Sequence, residues 1–235
     1  MSDDSSAAIK EIIIKVVLPN LLKGLIGAVV LLGFVLLAAG SFRYWPAYPA
    51  VTCLLLPMTI SGIYYQLKVP GLLARRALKG RRLTSKQKLY LGYIYLAETA
   101  LFLVPAFGFR YGLPLIPVIV IGVGNLLLVV ANIVWMISKT ANPYAGSALT
   151  IYEGHKLITS GPYRLIRHPN YFGDLLLILG VPLALGSYRG LVIFIGIIPA
   201  MIIMIKDEED FLCQNLPGYS QYMKKVSKRI IPYLW

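Results

Sequence analysis

The chain has 235 residues, of which 57% are hydrophobic and 14% charged, with a mean hydropathy of +0.70 and a net charge of +13. Soluble domains hold about 45–50% apolar residues, so this composition argues against an ordinary soluble globule and for a membrane protein. The two cysteines, Cys53 and Cys213, lie far apart and suggest neither a disulfide framework nor a metal knuckle. Whether the positive charge points to nucleic acid depends on where it falls along the chain.

The first six residues, "MSDDSS", carry no basic region, and no cleaved signal peptide is expected. Ile9, Ile12, Ile13, Val16 and Val17 then follow i, i+3, i+4, i+7, i+8 spacing, with Lys10, Glu11 and Lys15 elsewhere on the wheel. This predicts an interfacial amphipathic helix leading into the first span. Four long apolar segments follow, at about Leu21–Gly40, Trp45–Tyr65, Leu89–Phe107 and Pro114–Ile137, each near the roughly 20 residues a spanning helix needs. Two shorter runs, Leu175–Leu185 and Leu191–Ile205, are separated by "GSYRG" and predict a helical hairpin entering and leaving on one side. Its prolines, Pro182 and Pro199, are tolerated in membrane helices.

Of the 23 Lys and Arg, only Arg43, Arg110 and Arg189 fall on the side opposite the others. The positive-inside rule then makes both termini and both long polar segments cytoplasmic. This split explains the net charge without nucleic acid. The basic loop "KVPGLLARRALKGRRLTSKQK" holds eight positive charges and no acid, which suits anionic headgroups or a plain topology signal. With no internal repeat and no long linker, one all-α membrane domain is expected. It comprises N-terminal helices over 1–137 and a polar-motif region over 138–235.

Chemistry has two places to live, the 138–170 segment and the tail from Lys206. Both histidines, His155 and His168, lie in the first, and the acidic run "DEED" (Asp207 to Asp210) opens the second. If Leu175–Ile205 is a hairpin, the two meet at the cytoplasmic surface. Pro169 suits a first helical turn and disfavours a helical His168, which places His168 beside the positive end of a helix dipole, where an anion binds. Glu208 and Glu209 offer the opposite sign, suited to an amine or to ribose hydroxyls. Tyr163 and Tyr171 add aromatic faces for an adenine or a sulfonium. The set suits a zwitterionic ligand bearing a nucleoside. Taken singly, the same residues also suit an interfacial anchor, an aromatic belt and a solvated helix start. Two histidines thirteen apart without cysteine make a poor zinc site, and "GVGN" (Gly122 to Asn125) lies inside an apolar span, so it is not a nucleotide fingerprint.

With these residues in view, the chain resembles the isoprenylcysteine carboxyl methyltransferases and their bacterial and archaeal relatives. Their signature is R-H-P-x-Y-x-G, an apolar stretch, then E-E; here stand "RHPNYFG" (Arg167 to Gly173) and Glu208–Glu209. "GHKLITSGPY" (Gly154 to Tyr163) is similar to the family's upstream element, and "LPGYSQYMKKVSKRIIP" to the tail of bacterial members. The resemblance covers roughly residues 138–235. It implies methyl transfer from S-adenosyl-L-methionine to a lipophilic acceptor at the cytoplasmic face of the cell membrane. The implied cofactor contacts are His155, Lys156, Leu157, Ile158, Tyr163, His168, Pro169, Asn170, Tyr171 and Glu208. Tyr152 stands where the family has a glutamine. Met204, with Lys206 nearby, stands where the prenylcysteine enzymes have a substrate-contacting arginine, which unsettles a prenylcysteine carboxylate as substrate.

Such chemistry asks few catalytic side chains. Alignment of nucleophile and methyl carbon can lower a barrier by about 7–11 kcal/mol in favourable cases. Arg164 or Arg167 is expected to position an anionic substrate or the cofactor carboxylate, and a phospholipid headgroup contact is the alternative. Glu209 can accept an amine proton if the enzyme is instead a phospholipid (ethanolamine) N-methyltransferase. An NADPH-dependent membrane reductase and a non-catalytic membrane protein are the other readings. The substrate is expected to enter laterally from the lipid, and membrane lipids are the expected surroundings. Glu98, Asn125 and Asn132 are costly in lipid and are expected to face the bundle interior, bonding helices or lining a tunnel.

Overall fold

The computed structural model describes residues 12–68, 85–144, 151 and 155–231. Within them the chain forms seven α-helices and no strand: α1 (Leu18–Ala39), α2 (Ala47–Lys68), α3 (Ser85–Arg110), α4 (Val118–Ala141), α5 (Pro169–Ala184), α6 (Gly190–Asn215) and α7 (Tyr219–Lys225). A π-helical turn, Ile13–Val17, runs without a break into α1, so the described part of the expected interfacial helix continues the first span. The rest of that segment, the basic loop over 69–84 and Tyr152 lie outside the described residues.

The four expected spans are present with shifted ends. Pro114 and Pro117 hold the entry to α4 extended, because a residue before proline avoids the helical region; α4 therefore starts at Val118, and Ile116 N–H donates to Gly186 O at 3.2 Å. The expected short hairpin needs correction. α6 does not stop at Ile205 but runs to Asn215, so "DEED" lies on its last turns rather than in a separate tail. With 26 residues it is about 39 Å long, more than the roughly 30 Å of hydrocarbon. Five helices, α1 to α4 and α6, are long and apolar enough to cross a membrane; α5, with 16 residues, is not.

The two arms of that hairpin also pack on different neighbours, α5 along α4 and α6 along α3. The α4–α5 approach is close enough to exclude side chains at its seam. A Cβ on Gly124 would overlap the Leu183 and Ala184 backbone, and one on Gly173 would overlap the Trp135 indole. The "GVGN" stretch is thus a packing surface. Asn132 in α4 is buried and donates to Leu54 O of α2 at 3.3 Å, a bond between helices as expected, while Asn125 donates to Ile121 O within α4. At the end of the bundle away from the motif, Tyr44 O–H donates to Leu185 O, and Gly186 turns the chain with φ +78°.

Replacing Gly124 with leucine should abolish folded, monodisperse protein. Gly122→Leu, whose Cβ meets nothing within 4 Å, should be recovered like the parent chain. Size-exclusion profiles of the two variants in detergent provide the check.

Candidate functional site

Pro169 begins α5, and its missing N–H falls where the first turn has no acceptor for it. His168, just before it, is held out of the helical conformation at φ −125°, ψ 64°. The Arg167 and His168 amides therefore point outward and find partners in the chain's tail: they donate to Lys228 O at 3.0 Å and Arg229 O at 2.8 Å. The motif is tied down by a segment sixty residues later.

Around this pairing lies a buried charge cluster centred on Glu209, which is 3% exposed. Arg167 Nε donates to Glu209 Oε1 at 2.7 Å, His168 Nε2 meets the same oxygen at 3.1 Å, and Arg229 Nε donates to Oε2 at 2.9 Å. A carboxylate only accepts, so the His168 proton sits on Nε2. Arg167 also donates to Val226 O at 2.7 Å. Three donors on one carboxylate meet the condition under which a buried ion is tolerated.

This placement changes the expected roles of Arg167 and Glu209. The anion Arg167 meets is Glu209, and the carboxylate expected to take an amine proton is occupied by three side chains of its own chain. Glu208, by contrast, is 26% exposed in its side chain, with Oε2 4.0 Å from His168 Nδ1; burial first, then the Glu208 charge, raises the pKa of the Tyr171 hydroxyl. Tyr171 lies edge-on to His168, ring centroids 5.6 Å apart.

The other expected residues fall around this centre. Tyr163 is buried in a 3₁₀ turn, Gly161–Arg164, and its carbonyl accepts from Tyr222 O–H at 2.7 Å. Asn170 Nδ2 reaches the Tyr163 hydroxyl at 3.5 Å, and Asn170 Oδ1 is buried with no hydrogen-bond partner. Leu157 packs on Leu216, Tyr219 and Tyr222, Ile158 is half-buried, and Lys156 and Arg164 are exposed. His155 stacks on Tyr144, with ring centroids at 4.4 Å; burial holds its imidazole below the usual 6.5.

Four participants were not singled out from sequence. Arg229 completes the cluster; it lies within the family-like tail stretch, but nothing there sets it apart from the neighbouring basic residues. Tyr219 and Tyr222 share one face of α7 at i, i+3 spacing, a signal that was available. The Tyr219 hydroxyl is buried without a partner, and burial first, then the Glu208 charge, raises its pKa so that it stays protonated. Trp135 of α4 donates from Nε1 to Asn170 O at 3.2 Å and to Asp174 Oδ1 at 2.9 Å, joining α4 to the start of α5.

Residues 118–217, from the first residue of α4 to just past α6, match the family model described as Phospholipid methyltransferase. Among curated proteins, the chain is similar to Delta(14)-sterol reductase TM7SF2 of Mus musculus, 33% identical over 85 residues, which is 35% of this chain and 20% of that protein. It is also similar to Delta(14)-sterol reductase of Methylotuvimicrobium alcaliphilum, 36% identical over 90 residues, again 35% of this chain and 20% of that protein. The matched part thus spans about a fifth of the length of these relatives. At the level of a domain, the family match points to a membrane methyltransferase.

Breaking a buried pair by removing one partner costs about 3–5 kcal/mol. Glu209→Gln should therefore lower the thermal midpoint of the detergent-solubilised protein markedly. Glu208→Gln, at a half-open position, should leave it nearly unchanged.

Proposed function

We propose that the chain transfers a methyl group from S-adenosyl-L-methionine to a lipid-borne acceptor at the cytoplasmic face of the membrane. The observation that carries this reading is the junction of the histidine motif with the acidic pair, inside the stretch that matches the methyltransferase family.

The residues present fit the cofactor. It brings an ammonium, ribose hydroxyls and a sulfonium, all of which seek acceptors or negative charge. Asn170 Oδ1 and the Tyr219 hydroxyl are buried without a partner, and the Glu208 charge acts on both Tyr171 and Tyr219. When bound, the cofactor supplies a methyl group already activated on sulfur. The chain's own work is to bind, orient and exclude water. On this reading Glu208, Asn170, Tyr171 and Tyr219 contact the cofactor. His168, Arg167 and Arg229 are positioning residues that act through Glu209 to hold the motif against α6. Pro169 starts the helix, and His155, Lys156, Leu157, Ile158 and Tyr163 form the loop side of the cradle. Arg164, exposed beside it, is left to meet an anionic headgroup.

A phospholipid (ethanolamine) N-methyltransferase fits the family match at least as well as a carboxyl O-methyltransferase. The reductase reading draws on the names of the partial relatives and makes NADPH the ligand of the same cradle.

Calorimetric titration with S-adenosylhomocysteine decides among these. The parent protein should bind it, and Glu208→Gln should weaken binding by tenfold or more while unfolding at the same temperature. Binding of NADPH and not of S-adenosylhomocysteine would overturn the methyltransferase reading in favour of the reductase.

A further inference from the structure

Between α2 and α4, at the end of the bundle where the histidine motif lies, is a cavity with no part in the site described above. Its volume is about 150 Å³, well above the roughly 10–15 Å³ that one water needs. Its walls include Met58, Ser61 and Tyr65 of α2 and Asn132, Trp135 and Lys139 of α4, and no described residue of α5 or α6. The spacing is i, i+3, i+7 on both helices, so the cavity extends over two turns, about 10 Å along the axis.

Its two ends differ. At the deep end Met58 is apolar, and the Asn132 amide already donates to Leu54 O and Leu128 O. At the outer end stand the Tyr65 hydroxyl and the Lys139 ammonium, whose Nζ lies 4.8 Å from the centre of the Trp135 ring. Lys68, exposed in the last turn of α2, follows Tyr65 by three residues and Ser61 by seven, so it shares their helix face. Two cations from two helices therefore crown this end, and no carboxylate lines the cavity among the described residues. The ends of spanning helices lie at the level of the lipid headgroups, where basic pockets between helices take anionic heads.

We propose that this cavity is a binding site for a lipid with an anionic head. The head lies against Lys139 and Lys68, and the first carbons of a chain lie against Met58. Trp135 belongs to both places: it lines the cavity, and its Nε1 donates to Asn170 O and Asp174 Oδ1 at the start of α5. A lipid seated here braces the residue that fixes the first turns of α5. It is distinct from any methyl acceptor, and its binding is independent of the methyl-transfer reading.

The test is native mass spectrometry of the whole chain released from detergent, titrated with dioleoyl phosphatidylglycerol or dioleoyl phosphatidylcholine. Thermal midpoints are measured in the same mixtures and with inorganic phosphate alone. Only phosphatidylglycerol is net anionic, and neither lipid has a free amine or carboxylate to accept a methyl group. The parent protein should hold one phosphatidylglycerol at least tenfold more tightly than phosphatidylcholine and unfold at a higher temperature with it, as a ligand of the folded state requires. Lys139→Gln should erase the preference, Lys68→Gln should weaken it about fivefold, and Lys139→Arg should keep it. Ser61→Leu, which narrows the cavity without touching a charge, should also lose the bound lipid; it and Lys68→Gln keep the outcome readable if Lys139→Gln is poorly recovered. Equal binding of the two lipids by the parent protein would overturn the proposal. So would a preference that survives Ser61→Leu and the lysine variants, which would assign the lipid to other basic surfaces of the chain. A midpoint raised as much by inorganic phosphate as by phosphatidylglycerol would make the ligand a free anion and overturn it as well.

Discussion

A single buried carboxylate, Glu209, holds the polar end of this molecule together. It accepts from Arg167, His168 and Arg229, which reach it from the segment before α5 and from the tail beyond α7. A carboxylate buried this deeply is not tolerable alone, and its three donors satisfy and orient it. The two backbone bonds from Arg167 and His168 to residues 228 and 229 follow the same junction. Glu208, the next residue on α6, is thereby left at the rim with its carboxylate open.

The second constraint is the seam between α4 and α5. Glycine at 124 and 173 lets the two helices approach until backbone meets backbone and indole. That closeness brings Trp135 to Asn170 and Asp174, fixing the first turns of α5 against α4. A helix too short to cross a bilayer is held at a set depth by this neighbour. Asn170 and Asp174, one turn apart on α5, both meet the Trp135 indole.

The family match ends at residue 217, yet the arrangement does not. Tyr219, Tyr222 and Arg229, all beyond it, supply a buried hydroxyl, a bond to the Tyr163 carbonyl and one arm of the charge cluster. The tail is therefore a structural part of the site.

Much of this was legible in the sequence. Apolar length sets where helices form, because backbone polar groups without water must pair within their own segment. Four spans, the proline-started α5 and the non-helical His168 all follow from such local rules. The meeting of His168 with the acidic pair followed from connectivity, since a turn must return the chain. What the sequence could not decide was anything set by contact between distant segments. Whether Glu208 or Glu209 stays open depends on which face of α6 meets Arg167 and Arg229. The partner of Asp174 depends on how closely α4 approaches. Hydropathy and spacing are properties of one segment, whereas pairing a buried charge takes several segments, and only the tertiary structure brings them together.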